Sequence, residues 1–165
     1  MSRDGEVPEK DNPRERLFIV KMQVKTTLVD AVIDSGSQKN LISQSLVKSL
    51  GLTTSKHPCP YPLGWIQKEG GLDIVHQCRF KFALDEQYLD EFTCDVVPLD
   101  VCHVMLGSPY LWDRDAVLYQ REQKYSFVKD GQTFVIKSIV SPLMGSSLIT
   151  ATQAKGWLMR ARSLY

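Results

Sequence analysis

LVDAVIDSGSQKNLIS, residues 28–43, is the stretch on which the fold turns. A mostly apolar, strand-like run ends in an aspartate, a hydroxyl and a glycine. A carboxylate at the end of a buried strand is costly to desolvate unless it is paired or used. Asp34 is therefore the first candidate for chemistry. Beside it, Ser35 can hydrogen-bond across the loop and Ser37 can bond to the carboxylate. Gly36 lets a second backbone approach closely.

Outward from this loop, the spacing predicts strands on both sides of a short helix. Upstream, Phe18, Val20, Met22 and Val24 alternate with Ile19, Lys21, Gln23 and Lys25, the period of a half-buried strand. A turn near Lys25–Thr27 leads into residues 28–33, whose near-continuous apolar character predicts burial on both faces. Downstream, Leu41, Ile42, Leu46, Val47 and Leu50 recur at helical spacing, with Gly51 as the stop. The proline-rich HPCPYPLGW reads as irregular or edge structure. WIQKEGGLDIV reads as a hairpin with its tip near residues 68–71, where paired glycines permit positive φ. Further strands are expected at 74–84, 91–97 and 104–106. In SFVKDGQTFVI, two alternating runs flank Asp130-Gly131, the dipeptide of a type I′ turn. Short, evenly spaced strands with little helix predict a mainly β domain, a small closed or folded-over barrel.

The chain of 165 residues suits one ordinary domain with tails. Residues 1–16 are polar and charged and read as a lead-in, 17–140 as the domain, and 141–165 as a tail or linker. In that tail Trp157, Leu158, Ala161 and Leu164 share one helical face. With 20 basic and 19 acidic residues the net charge is +1, which gives no electrostatic case for a nucleic-acid or membrane-surface binder. No apolar run approaches a bilayer span, and the N-terminus lacks the apolar core of a signal peptide, so a cytoplasmic location is expected. Cys59, Cys78, Cys94 and Cys102 form no CxxC pair and have no histidine at zinc-finger spacing. They read as reduced, mostly buried thiols, with neither metal nor cofactor expected.

There is no GxSxG elbow and no phosphate-binding glycine loop, and nothing local marks a cysteine as activated toward His57, His76 or His103. That leaves Asp34. One carboxylate is a poor catalyst of amide hydrolysis. Two brought within about 3 Å share a proton, so that one serves as base toward a water and the other as acid toward the carbonyl.

AVIDSGSQKNLIS resembles the active-site motif of retropepsin-like aspartic proteases. DVVPLDVCHVMLGSPYLWDRD is similar to that family's apolar-apolar-Gly segment, here Met105-Leu106-Gly107, followed by a short helix. With YSFVKDGQTFVI, the closer resemblance is to the protease region of Gag-Pol polyproteins of plant-type gypsy LTR retrotransposons, over about residues 17–139. The resemblance implies a single-lobed acid-protease barrel with short helices after the Asp-Ser-Gly loop and after Met-Leu-Gly. It implies Asp34, Ser35 and Gly36 as the catalytic loop, with the Ser35 hydroxyl linking two such loops. Gly107 would lie beneath that loop, where a side chain would collide with it. The resemblance also implies a flap on residues 61–78 with its tip at 67–71. Substrate contacts would then come from Ser37, Trp65, Gln67, Lys68, Gly70 and Gly71. Only one Asp-Ser-Gly is present, so an enzyme of this kind is a homodimer with one Asp34 from each subunit, cutting its own polyprotein. The same fold kept as an idle dimerisation or peptide-binding module is the other reading.

Overall fold

The computed structural model describes residues 17–62 and 73–139. The expected flap tip, including Trp65, Gln67, Lys68, Gly70 and Gly71, lies outside the described residues, as do residues 1–16, expected as a lead-in, and 141–165, expected as a tail.

Apolar–polar alternation over Phe18–Val24 makes β1, with Phe18, Val20, Met22 and Val24 buried and Lys21 and Gln23 exposed. A two-residue turn, Lys25 at φ 54°, joins it to antiparallel β2 (Thr27–Ile33). β2 runs parallel to β7 (Val104–Leu106), and β7 pairs antiparallel with β3 (Leu41–Ser43). β3 runs parallel to β6 (Leu89–Val97), which pairs antiparallel with β5 (Asp73–Ala83). β5 returns to β1 at Ala83–Gln23 and closes a six-stranded barrel. β4 (Thr54–Pro62) lies on the outer part of β5 as an edge strand, its register broken between Lys56 and Tyr61. Pro58, Pro60 and Pro62 donate no backbone hydrogen bonds, which suits an edge.

Helix α1 (Gln44–Leu50) follows β3, and α2 (Ser108–Asp113) follows β7. Strands β8 (Val117–Tyr119), β9 (Lys124–Lys129) and β10 (Gln132–Lys137) form a second sheet against the barrel. Asp130 and Gly131 both have positive φ, 52° and 75°, the backbone of a type I′ turn.

Two apolar clusters fill the molecule. The larger lies inside the barrel and takes in Tyr125, Phe127 and Ile136 of the second sheet. The smaller, on the opposite face, gathers Val32, Leu41, Ile74, Val97 and Met105, with Tyr61 packed on it. The ends of β2, β7 and β3 thus sit between two cores, and this explains their unbroken apolar runs.

Two expectations are corrected, and one strand went unmarked. Leu41 and Ile42 belong to a strand rather than a helix, because both are fully buried between β7 and β6. The helix starts only at Gln44, where the Ser43 hydroxyl caps it by accepting from Leu46 N–H at 3.1 Å. Two-sided burial of β2 holds only from Ala31; Leu28, near its start, is 67% exposed. Finally, β8 is a strand that no run of residues marked, since a three-residue element has no room to display a period.

Candidate active site

The loop carrying Asp34 is built by prolonging the β2–β7 pairing one step. Asp34 N–H donates to Leu106 O at 2.9 Å, and then the chain turns, with Ser37 N–H donating to Asp34 O at 3.1 Å. The Asp34 carboxylate accepts Gly36 N–H on Oδ1 at 3.0 Å, a local bond of the kind that lets aspartate close turns. Asp34 is 6% exposed, whereas Ser35 and Gly36 are exposed. The loop therefore presents its tip outward and holds its carboxylate below it.

Gly107 is the floor of this loop. A Cβ on it would lie 2.2 Å from Lys39 O and 2.7 Å from Ser37 O, so only hydrogen fits. Its N–H donates to Asn40 Oδ1 at 2.9 Å, and the next amide, Ser108 N–H, donates to Ser37 O at 2.7 Å. The collision implied by the family resemblance is present, and with it two hydrogen bonds tie the loop down.

Ser37 is 2% exposed, and its hydroxyl donates to Lys39 O at 2.8 Å. Its one donor thus goes to the loop's own backbone, and its place is that of a brace inside the loop. Tyr125 of β9 stands beside the site, a residue that sequence reading missed. Burial, and then the charge of Asp34, push its phenol above the ordinary value, while a hydrogen bond with the Ser35 side chain works against them. The second sheet is therefore part of the wall around Asp34. Asn40 was missed as well.

The arms of the expected flap are β4 and β5, which pair at Tyr61–Ile74 and Pro62–Asp73 up to the edge of the described residues. Lys39, in the loop, lies with its ammonium 4.8 Å from the centre of the Tyr61 ring.

Cys78, Cys94 and Cys102 are buried, and burial raises their thiols, Cys102 to about 12. That is opposite to an activated thiolate. Among the described residues no group of three His, Cys, Asp or Glu is placed to hold a metal ion, and no helix is long and apolar enough to cross a membrane. A cleft of about 740 Å³ bounded by β1, β5 and β6 includes Lys25, Arg79, Asp85 and Glu91. None of its lining residues belongs to the Asp34 loop.

Sequence comparison matches the chain to no family model and to no curated protein. Solved structures do match. The retroviral protease-like domain of Ddi1 from Leishmania major is 14% identical with a TM-score of 0.50, covering 73% of this chain and 92% of that one. The EIAV protease complexed with the inhibitor HBY-793 is 13% identical at TM-score 0.44, covering 60% and 88%. A retropepsin-like aspartic protease from Rickettsia conorii is 15% identical at 0.36, covering 74% and 92%. The first of these likenesses shows the fold, a mainly β, retropepsin-like closed barrel.

Proposed function

We propose that this chain is an aspartic endopeptidase, active as a homodimer that brings together one Asp34 from each subunit. The observation that carries the reading is the seat of Asp34. It is a buried carboxylate beneath an outward-facing Ser35-Gly36 tip, on a loop pinned over Gly107 in a retropepsin-like barrel. An exposed tip gives a second copy a place to meet it, and a two-fold axis would set two equal carboxylates face to face.

In that pair the ionised carboxylate takes a proton from a water while the water oxygen attacks the peptide carbonyl carbon. The protonated carboxyl gives its proton to the carbonyl oxygen. Collapse of the tetrahedral intermediate breaks the C–N bond as the nitrogen takes the proton that the first carboxyl drew from the water, while a diol hydroxyl returns its proton to the second carboxylate, leaving a carboxyl, an amine and a pair that again shares one proton. Ser35 and Gly36 shape the loop, and Ser37 braces it from inside. Trp65, Gln67, Lys68, Gly70 and Gly71 are the proposed flap contacts to the substrate. The domain is assigned to 17–140, between a lead-in and a tail. The resemblance of the three motifs to gypsy-type Gag-Pol sequences supports a substrate of the same origin, the polyprotein that carries the domain, cut in the cytoplasm.

The test is a precursor containing the domain and its native flanks, wild type beside Asp34→Asn, with fragments followed by mass spectrometry. The substitution keeps the size and the Oδ1 acceptor for Gly36 N–H, so the fold is expected to persist. Cleavage in wild type alone is the expected result and gives the cut sites. Equal cleavage in both overturns the assignment of Asp34. Cleavage in neither, with a stable dimer by sedimentation, makes the domain an idle dimerisation module.

A further inference from the structure

The buried carboxylate of Asp95 lies outside the Asp34 loop, yet it touches both of the parts a peptide would have to pass between. It sits on β6, 5% exposed, opposite Leu41 of β3. Its backbone N–H donates to Asn40 O at 2.8 Å, and the Asn40 side chain accepts Gly107 N–H from under the loop. Its carboxylate faces the other way, toward the flap arms. Oδ2 accepts the Tyr61 hydroxyl at 2.6 Å, and Oδ1 accepts Gln77 Nε2 at 3.2 Å and stands 3.1 Å from His57 Nε2. The His57 ring is fixed from its other nitrogen, since Nδ1 accepts Cys59 N–H at 2.9 Å and leaves Nε2 as the donor.

These contacts fall where β4 has lost its ladder. Pairing with β5 is interrupted between Lys56 and Tyr61, and Pro58 and Pro60 have no N–H to offer. His57 lies inside that gap and Tyr61 closes it, and both reach the same carboxylate.

Resting on the protease reading, we infer that Asp95 is a positioning residue that fastens the β4 arm of the flap to the loop carrying Asp34. The joint replaces missing backbone bonds with bonds to a buried charge, which are stronger than neutral ones. It makes the height of the flap base and the seat of the loop parts of one hydrogen-bonded unit. A peptide held between them is then clamped by a frame rather than by two independent loops.

The test uses the full chain with Tyr61→Phe, Asp95→Leu and the conservative Asp95→Asn. Hydrogen exchange is read in an Asp34→Asn background and peptide kinetics in the active one. In Tyr61→Phe and Asp95→Leu, exchange at amides of β4 and of residues 37–40 and 107 is expected to quicken about tenfold, with β9 and β10 unchanged. Asp95→Asn, which can still accept, should recover most of the protection. In the kinetics, KM is expected to rise about tenfold with kcat nearly kept, because the frame acts through substrate placement. Unchanged exchange at the loop, or quickening equal in β4, β9 and β10, overturns the joint and makes Asp95 a general stabiliser. A wild-type chain that cleaves nothing counts against the protease reading, while the exchange pattern alone still decides the joint.

Discussion

At Gly107 the smallest possible side chain is already too large. A methyl there meets two backbone carbonyls of the Asp34 loop at 2.2 and 2.7 Å, and neither is the movable end of a side chain. Gly107→Ala must therefore lift the loop off its floor, stretching the Ser108–Ser37 and Gly107–Asn40 bonds. A loss of about 3 kcal/mol in urea unfolding is expected, the upper part of the range for overpacking, together with loss of any peptide cleavage. At this scale the sequence is legible where a residue's meaning is local. Asp34, Ser35 and Gly36 form a turn whose bonds span two or three residues, and the turn is readable from the residues themselves. Asn40 is different. Its side chain works on an amide 67 positions away, and nothing near it in sequence announces that. Tyr125 is hidden for the same reason, since an aromatic in an alternating strand reads as core whether or not a carboxylate lies beside it.

Between elements, the connection that most resists sequence reading is the one from α2 to β6. Asp90 of β6, 7% exposed, accepts hydrogen bonds from Arg114 Nε at 2.7 Å and Nη2 at 2.8 Å. The hydroxyls of Tyr110, at 2.8 Å, and Tyr88, at 3.2 Å, complete its shell and also bond to each other. Burial alone would raise the Asp90 carboxyl, but the bonds from Arg114, Tyr110 and Glu91 N–H outweigh it and hold it below the usual range. Burial and the neighbouring carboxylate push both phenols up, Tyr88 to about 12. Arg114→Met leaves a buried carboxylate without its cation and is expected to cost about 3 kcal/mol near neutral pH. A carboxyl lowered on folding contributes stability above its unfolded value of about 4, and loses it as pH falls through the folded one. The gap between wild type and variant should therefore narrow in urea melts at about pH 3. A gap that stays constant would show that packing of the Arg114 stem, rather than its charge, holds α2. Element assignment itself failed at β3, where an apolar strand pair, Leu41-Ile42, abuts a helix face, Leu46-Val47-Leu50. Together they imitate one helical period, and only the depth of residues 41–42 separates them. The Asp130-Gly131 hairpin succeeded because two consecutive positive φ values suit only a few dipeptides, Asp-Gly among them.

For the molecule as a whole, the chain closes its own barrel but supplies a single carboxylate to the proposed chemistry. The barrel's last seam is the short contact of β5 with β1. The segment after β10 adds to it by crossing back to β1, Ile139 N–H donating to Ile19 O at 2.8 Å. None of this joins a second Asp34 to the first, so catalysis in the proposed form is a property of the pair and must obey the arithmetic of pairs. If wild-type subunits and Asp34→Asn subunits are mixed in equal amounts and allowed to exchange, about a quarter of the dimers are wild type on both sides. Mixed dimers hold one carboxylate and one amide, and an amide has no acidic proton to share. Activity per wild-type subunit is therefore expected to fall to about half its unmixed value, and further as the variant is added in excess. The check is initial cleavage rate against mixing ratio at fixed wild-type concentration, with dilution of wild type alone as a companion. A rate that ignores added variant and scales linearly through dilution would mean that one subunit suffices, and the shared-proton mechanism would have to be given up.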